Sequence, residues 1–164
     1  MTGMMPTILG IVVMVAQVGV AALVAVVIYR SWKKRSAAIR GGSFSPGPDG
    51  ATAIPLMASF AGVRGLPWWF AVATNNARPL LEILPSGLRY RVIRKRERAF
   101  SEIERVDVRT FWQTVNIDIA FRGAVLTMVG NVGTIEQARA ALALFPPGVP
   151  LTARARAVLA GRTP

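Results

Sequence analysis

Four carboxylates fall close together in this chain: Glu102, Glu104, Asp107 and Asp118. Two carboxyl groups whose surroundings split their pKa values can divide acid and base work between them. Here Arg98, Arg105 and Arg109 interleave with the acids, and surface ion pairing is the more economical account. No nucleophile–base arrangement accompanies them. The chain contains no cysteine and no histidine. It therefore supplies neither a Ser-His-Asp nor a Cys-His site, no disulfide, and none of the usual zinc ligands. Ser31-Trp32-Lys33-Lys34 matches Ser-x-x-Lys by chance, without the companion motifs. Gly130-Asn131-Val132-Gly133 resembles a phosphate-gripping loop but carries no lysine. Neither a Walker loop nor a dinucleotide fingerprint is present. The expectation is binding rather than catalysis, with no cofactor and no metal.

Binding is where the charge points. Twenty Lys and Arg face eight Asp and Glu, a net charge of +12. One cluster is Arg30, Lys33, Lys34, Arg35 and Arg40. It can hold anionic lipid head groups, each charge contributing about 1 kcal/mol near a membrane surface, or serve simply as a topology signal. A second cluster is Arg89, Arg91, Arg94, Lys95, Arg96 and Arg98, offset by Glu97. On a hairpin it would contact anionic lipid or an acidic face of a neighbouring protein, or stand as a solvated surface. Nucleic acid is disfavoured, because no helix-turn-helix, zinc module or aromatic stacking strand accompanies the charge.

The elements that must position these groups begin with an apolar run. Residues 1–29 carry no Asp, Glu, Lys or Arg, and residues 8–29 are apolar apart from Gln17 and two glycines. As a helix the run would extend roughly 33 Å, against a hydrocarbon core of about 30 Å. Positive charge after the run keeps that side cytoplasmic. A cleaved signal peptide would carry its charge before a shorter run. The expectation is a single-pass anchor in a bacterial inner membrane, N-terminus outside and the remainder in the cytoplasm. Gln17, with Ala21 and Ala25 at small-xxx-small spacing, would form a helix–helix contact within it.

Residues 30–65 read as a basic juxtamembrane segment and a linker rich in glycine and proline. Within and beyond it, residues 51–73 admit three placements: interfacial, a second span, or part of the following domain. Arg64 and Pro67 count against a span. From residue 66 the pattern turns strand-like. Leu88, Tyr90 and Val92 alternate with Arg89 and Arg91, and Val115, Ile117 and Ile119 with Asn116 and Asp118, the period of half-buried strands. Thr134 and Gln137 form a capping box, and Ile135, Ala138, Leu142 and Phe145 share one helical face. Pro146-Pro147-Gly148 closes that helix. Residues 147–164 read as a basic tail, frayed at its end.

The stretch from Leu81 to Arg91, with Leu84-Pro85-Ser86-Gly87-Leu88 at its centre, and Phe100-Ser101-Glu102-Ile103-Glu104-Arg105-Val106, followed by the final helix, resembles the bacterial pleckstrin-homology-like domains. The resemblance covers about two fifths of the chain, residues 79–146. It implies an α+β fold over residues 66–146: a small antiparallel sheet or barrel capped by a C-terminal helix, behind the N-terminal transmembrane helix. It implies binding rather than catalysis. The functional expectation is a membrane-anchored accessory or assembly subunit. It would dock on other membrane-protein subunits or on anionic lipids, or act alone as a lipid or envelope-stress sensor.

Overall fold

The computed structural model describes residues 14, 17–20, 23–27, 30, 33, 44–66, 71–75, 77–111 and 114–162. The chain divides into two compact units, residues 1–37 and 38–164. In the first, the described residues are helical and exposed. Gln17 and Ala25 are among them, as are Arg30 and Lys33; Ala21, Lys34, Arg35 and Arg40 lie outside the described residues.

The membrane expectation is corrected. A span needs about 20 consecutive apolar residues in one helix. Among the described residues, no helix is long and apolar enough to cross a membrane. The single-pass anchor, the inner-membrane placement with its N-out orientation, and the anchored-subunit and lipid-sensor readings lose their basis with it.

The described residues of the second unit form ten strands. One antiparallel sheet has the order β1-β2-β5-β6-β7. Its strands are β1 (Ser45–Pro46), β2 (Thr52–Ala53), β5 (Leu80–Ile83), β6 (Gly87–Arg91) and β7 (Lys95–Ala99). The other has the order β4-β3-β10-β9-β8. It contains β3 (Ala58–Val63), β4 (Ala71–Asn75), β8 (Ile103–Phe111), β9 (Thr114–Phe121) and β10 (Leu126–Asn131). The helices α1 (Ile135–Leu142) and α2 (Ala153–Leu159) follow.

The pleckstrin-homology-like expectation is corrected here as well. Among the described residues, two separate five-stranded sheets stand in place of one small sheet or barrel, and two C-terminal helices in place of one cap. The barrel expectation failed because it omitted strands. Of residues 51–73, for which the sequence admits three placements, 52–53 and 58–63 form β2 and β3. β3 is rich in Ala, Ser and Gly, which carry little intrinsic strand preference. It forms a strand because it lies between β10 and β4, both antiparallel to it.

The two sheets share one core. Leu81, Ile83, Leu88 and Tyr90 from the first meet Val106, Val108, Ile117, Ile119 and Phe121 from the second. Each fully buried Leu, Ile or Val contributes about 1.5–3 kcal/mol. The Tyr90 and Phe121 rings stack across the interface with centroids 5.3 Å apart, which adds about 0.5–1.5 kcal/mol. Ser59 on β3 donates to the Arg91 carbonyl on β6 at 2.6 Å, a direct polar link between the sheets. The Thr134 hydroxyl accepts from Gln137 N at 3.3 Å and caps α1. Arg139 on α1 donates to the Val158 carbonyl near the end of α2 at 3.0 Å.

The polypeptide beyond Pro146-Pro147-Gly148 belongs to this core. Leu151 bridges Val106 in parallel register, Thr152 caps α2, and Ala155 and Val158 are fully buried. Alternating alanine and arginine disguised an apolar face.

Gly87 opens β6 rather than ending a turn, and its lack of a side chain is required. A Cβ there would overlap the Arg98 carbonyl oxygen on β7, and backbone on a paired strand has no room to yield. Gly87→Ala is expected to destabilise the fold by about 1–3 kcal/mol, read as a lowered urea midpoint. Gly148→Ala meets open space, and its unfolding free energy should stay within about 0.5 kcal/mol of the parent.

Candidate functional site

Period-2 pleating sorts the second sheet into two faces. Val106, Val108, Ile117, Ile119 and Met128 face the core. Arg105, Asp107 and Arg109 on β8, Asn116 and Asp118 on β9, and Thr127 and Asn131 on β10 take the opposite face. A cavity of about 560 Å³ lies along that outer face. Its wall includes the apolar Phe60, Leu66, Phe111 and Val129, and its polar lining includes Arg105, Arg109, Asn116, Asp118 and Thr127. The volume is in the range of small-molecule sites.

Asp118 is 6% exposed. Arg109 Nη2 lies 3.3 Å and Arg105 Nη2 3.8 Å from its Oδ2. Its Oδ1 has no hydrogen-bond partner among the described residues. Burial raises its pKa, outweighing the opposing pull of Arg109, Arg105 and the Thr127 hydroxyl. Arg105 follows a register shift in the β8–β9 ladder between Ile103 and Arg105, a local irregularity of the kind that re-aims a side chain. Its Nε is buried without a partner among the described residues.

Asp107 is the cross-strand neighbour of Asp118, yet its surroundings are opposite. Its Oδ1 accepts from Val108 N at 2.9 Å, from the Thr152 hydroxyl at 2.6 Å and from Arg154 Nε at 3.3 Å. Its Oδ2 accepts from Arg154 Nη2 at 2.5 Å and Arg109 Nε at 3.2 Å. Burial pushes its pKa up, but the Thr152 hydroxyl and the Arg154 guanidinium outweigh burial and hold it below the ordinary value. Asp107 does not line the cavity. The two acids therefore do not present a carboxyl pair to a common ligand. Glu104 is occupied by Arg64 at 2.7 Å, and Glu102 by Arg98 at 2.5 Å. Among the described residues, no group of three or more acids could hold a metal ion.

The second basic cluster divides in two. Arg89 is enclosed by Glu97 at 2.6 Å, Glu82 at 3.1 Å and Asp49 at 3.8 Å, and the hydrogen bonds it donates to Glu97 and Glu82 raise its pKa. Arg98 pairs with Glu102 and lies over the Phe121 ring at 5.8 Å. Arg91, Arg94, Lys95 and Arg96 have no carboxylate within ion-pairing distance among the described residues. Lys95 and Arg96 belong to strand β7, which pairs antiparallel with β6.

Sequence reasoning singled out Asp107 and Asp118 but missed the cavity beside Asp118. The signal was Arg105-x-Asp107-x-Arg109 facing Asn116-x-Asp118: alternating polar positions on adjacent strands. Phe60 and Arg64 carried no such signal, because β3 was not legible as a strand.

Comparison with protein-family models, with curated proteins and with solved structures finds no match at any of the three levels.

The two buried aspartates should shape stability against pH with opposite signs. Asp107, with its folded pKa lowered, contributes stability above the unfolded carboxylate pKa and loses it as pH falls through its folded pKa. Asp118, with its folded pKa raised, contributes below the unfolded value and loses that contribution as pH rises through its folded pKa. Urea midpoints measured against pH should therefore show Asp107→Asn losing less stability than the parent on acidification. Asp118→Asn should lose less than the parent as pH rises through the window above the ordinary aspartate value.

Proposed function

We propose that the unit of residues 38–164 is a non-catalytic binding domain whose outer groove holds a small organic anion with an apolar body. The observation that carries this reading is the state of Arg105. Its pairing with Asp118 is long, 3.8 Å, and its side chain is 43% exposed on a cavity that also presents Phe60, Leu66 and Phe111. Its neighbours in the groove are more fully engaged. Arg64 donates to Glu104 and to the Phe121 carbonyl, both at 2.7 Å, and Arg109 bridges Asp107 and Asp118. A ligand carboxylate or phosphate would complete the coordination of Arg105 and leave its apolar part against the phenylalanines.

A binding role rather than a catalytic one is supported by the saturation of Asp107. With five donors on its two oxygens, it cannot accept a further proton without breaking the clamp. Asp118 then stands without a second carboxyl of complementary pKa on the same cavity, and acid–base chemistry of the paired-carboxylate kind needs both.

The test is calorimetric titration with 3-phenylpropionate and phenyl phosphate, beside the neutral 3-phenylpropanol. Binding of at least one anion is expected, with the alcohol at least ten-fold weaker. Arg105→Ala should weaken the anion by about 10–100-fold, the worth of a charge-assisted hydrogen bond of about 1.5–3 kcal/mol. Equal binding of the alcohol, no binding by either anion at millimolar concentration, or an unchanged affinity in Arg105→Ala would each overturn the assignment.

A further inference from the structure

Strand β7, Lys95–Ala99, is an edge of the first sheet and, among the described residues, pairs with β6 alone. Its composition is Lys-Arg-Glu-Arg-Ala, and all but Arg98 are exposed. The ladder places Arg91 directly across from Lys95. Like charges directly opposite one another in a sheet are destabilising. The nearby acids do not relieve them. Glu97 is held by Arg89, and Glu102 by Arg98. Arg94 in the connecting turn and Arg96 on the strand add two further cations without a carboxylate in reach among the described residues. The preceding Ile93 is 73% exposed.

We infer that the β7 edge, from Lys95 to Arg98, is a docking surface for an acidic, extended segment of another protein, which adds to the first sheet as an antiparallel or parallel strand. Two properties of the edge select this partner. An edge strand offers alternating N–H donors and C=O acceptors on its open side. A surface of phosphates supplies acceptors alone and leaves the strand carbonyls unmatched, whereas a second backbone matches both. The cations then choose among backbones. A second copy of β7 would set Lys95, Arg96 and Arg98 against themselves, so the charge that invites an acidic strand also suppresses self-pairing. The net charge of +12 steers an acidic partner toward the molecule before contact. This surface is on the other sheet from the groove, and the inference does not depend on what the groove binds.

The pairing is limited at one end. Ala99 N–H donates to the Glu102 carboxylate at 3.1 Å, and the chain then leaves the strand through the 3-10 turn of Phe100–Glu102. An incoming strand would therefore be short and register against Lys95–Arg98.

The test uses the full chain and fluorescein-labelled eight-residue peptides, read by fluorescence anisotropy. One peptide alternates glutamate with threonine. A second alternates glutamate with proline, keeping the charge but removing half of the backbone donors. Binding of the threonine peptide is expected, at least ten-fold tighter than the proline peptide and weakened by salt. Lys95→Glu combined with Arg96→Glu should reduce the affinity at least ten-fold. Both side chains are exposed, and an unchanged circular dichroism spectrum would confirm that the variant is folded. Hydrogen exchange on the parent should show new protection at Lys95–Arg98 with the threonine peptide bound. No binding of the threonine peptide, equal binding of the proline peptide, or protection confined to other strands would overturn the inference. So would salt-sensitive binding to phosphatidylglycerol vesicles that the double variant abolishes while the peptide fails to bind, an outcome that would give the edge to a membrane surface.

Discussion

Taking a carboxylate out of water costs several kcal/mol unless its lone pairs find donors, and Asp107 meets that cost with five. Those donors come from two separate places in the chain: Val108 and Arg109 on β8 itself, and Thr152 and Arg154 at the start of α2. The buried charge therefore does more than stabilise a strand. It fixes the C-terminal segment to β8, where Thr152 N–H also donates to the Val106 carbonyl at 2.9 Å and Val106 N–H to the Pro150 carbonyl at 2.8 Å. That covers the β8 edge of the second sheet at Val106. The same carboxylate orients Arg109, which reaches on to Asp118 at 3.3 Å. The floor of the groove is thus set by a chain of charges that starts outside it.

The two edges of the first sheet are treated differently from the β8 edge. At one end, β1 is two residues long and contains Pro46, which cannot donate to a further strand. At the other, β7 is longer and highly charged. Long open edges are an aggregation hazard, and charge is one of the ways chains suppress it. Charge suppresses pairing with the same sequence while leaving pairing with its electrostatic complement available. The edge is selective, where the proline edge is simply blocked.

What could be read from the sequence followed the strength of its periodicity. The β6, β9 and α1 segments announced themselves: Leu88 and Tyr90 alternate with arginines, Val115 to Ile119 with polar residues, and Ile135 to Phe145 repeats at helical spacing. β3 gave no such signal. Its residues Ala58, Ser59, Ala61 and Gly62 are small because two neighbouring strands and the first sheet crowd them: Ser59 is fully buried, and a Cβ on Gly62 would lie 2.7 Å from Thr127 Oγ1. Smallness imposed by packing looks, in sequence, like a linker. The apolar run of residues 8–29 satisfied a membrane rule by composition, but among the described residues no helix is long and apolar enough to cross a membrane.

The charge of +12 read from composition is a sum over groups in very different states, and that difference is what separates structural from functional cations here. Arg89 and Arg154 are held by carboxylates and complete the fold. Arg109 lies between two acids and transmits the position of one to the other. Arg105 is loosely held beside a cavity, and Lys95 and Arg96 are held by no carboxylate within reach among the described residues. A cation already satisfied at 2.5–3.3 Å has little to gain from a ligand, since binding would exchange one charge-assisted hydrogen bond for another. A cation left at 3.8 Å, or with no counter-ion, gives up only water to the ligand and keeps the net gain. The sequence places Arg89, Arg91, Lys95 and Arg96 in one run, but the ladder turns them to different neighbours. The functional content of the run therefore depends on which acids the fold brings within reach, and the composition of the run itself does not reveal this.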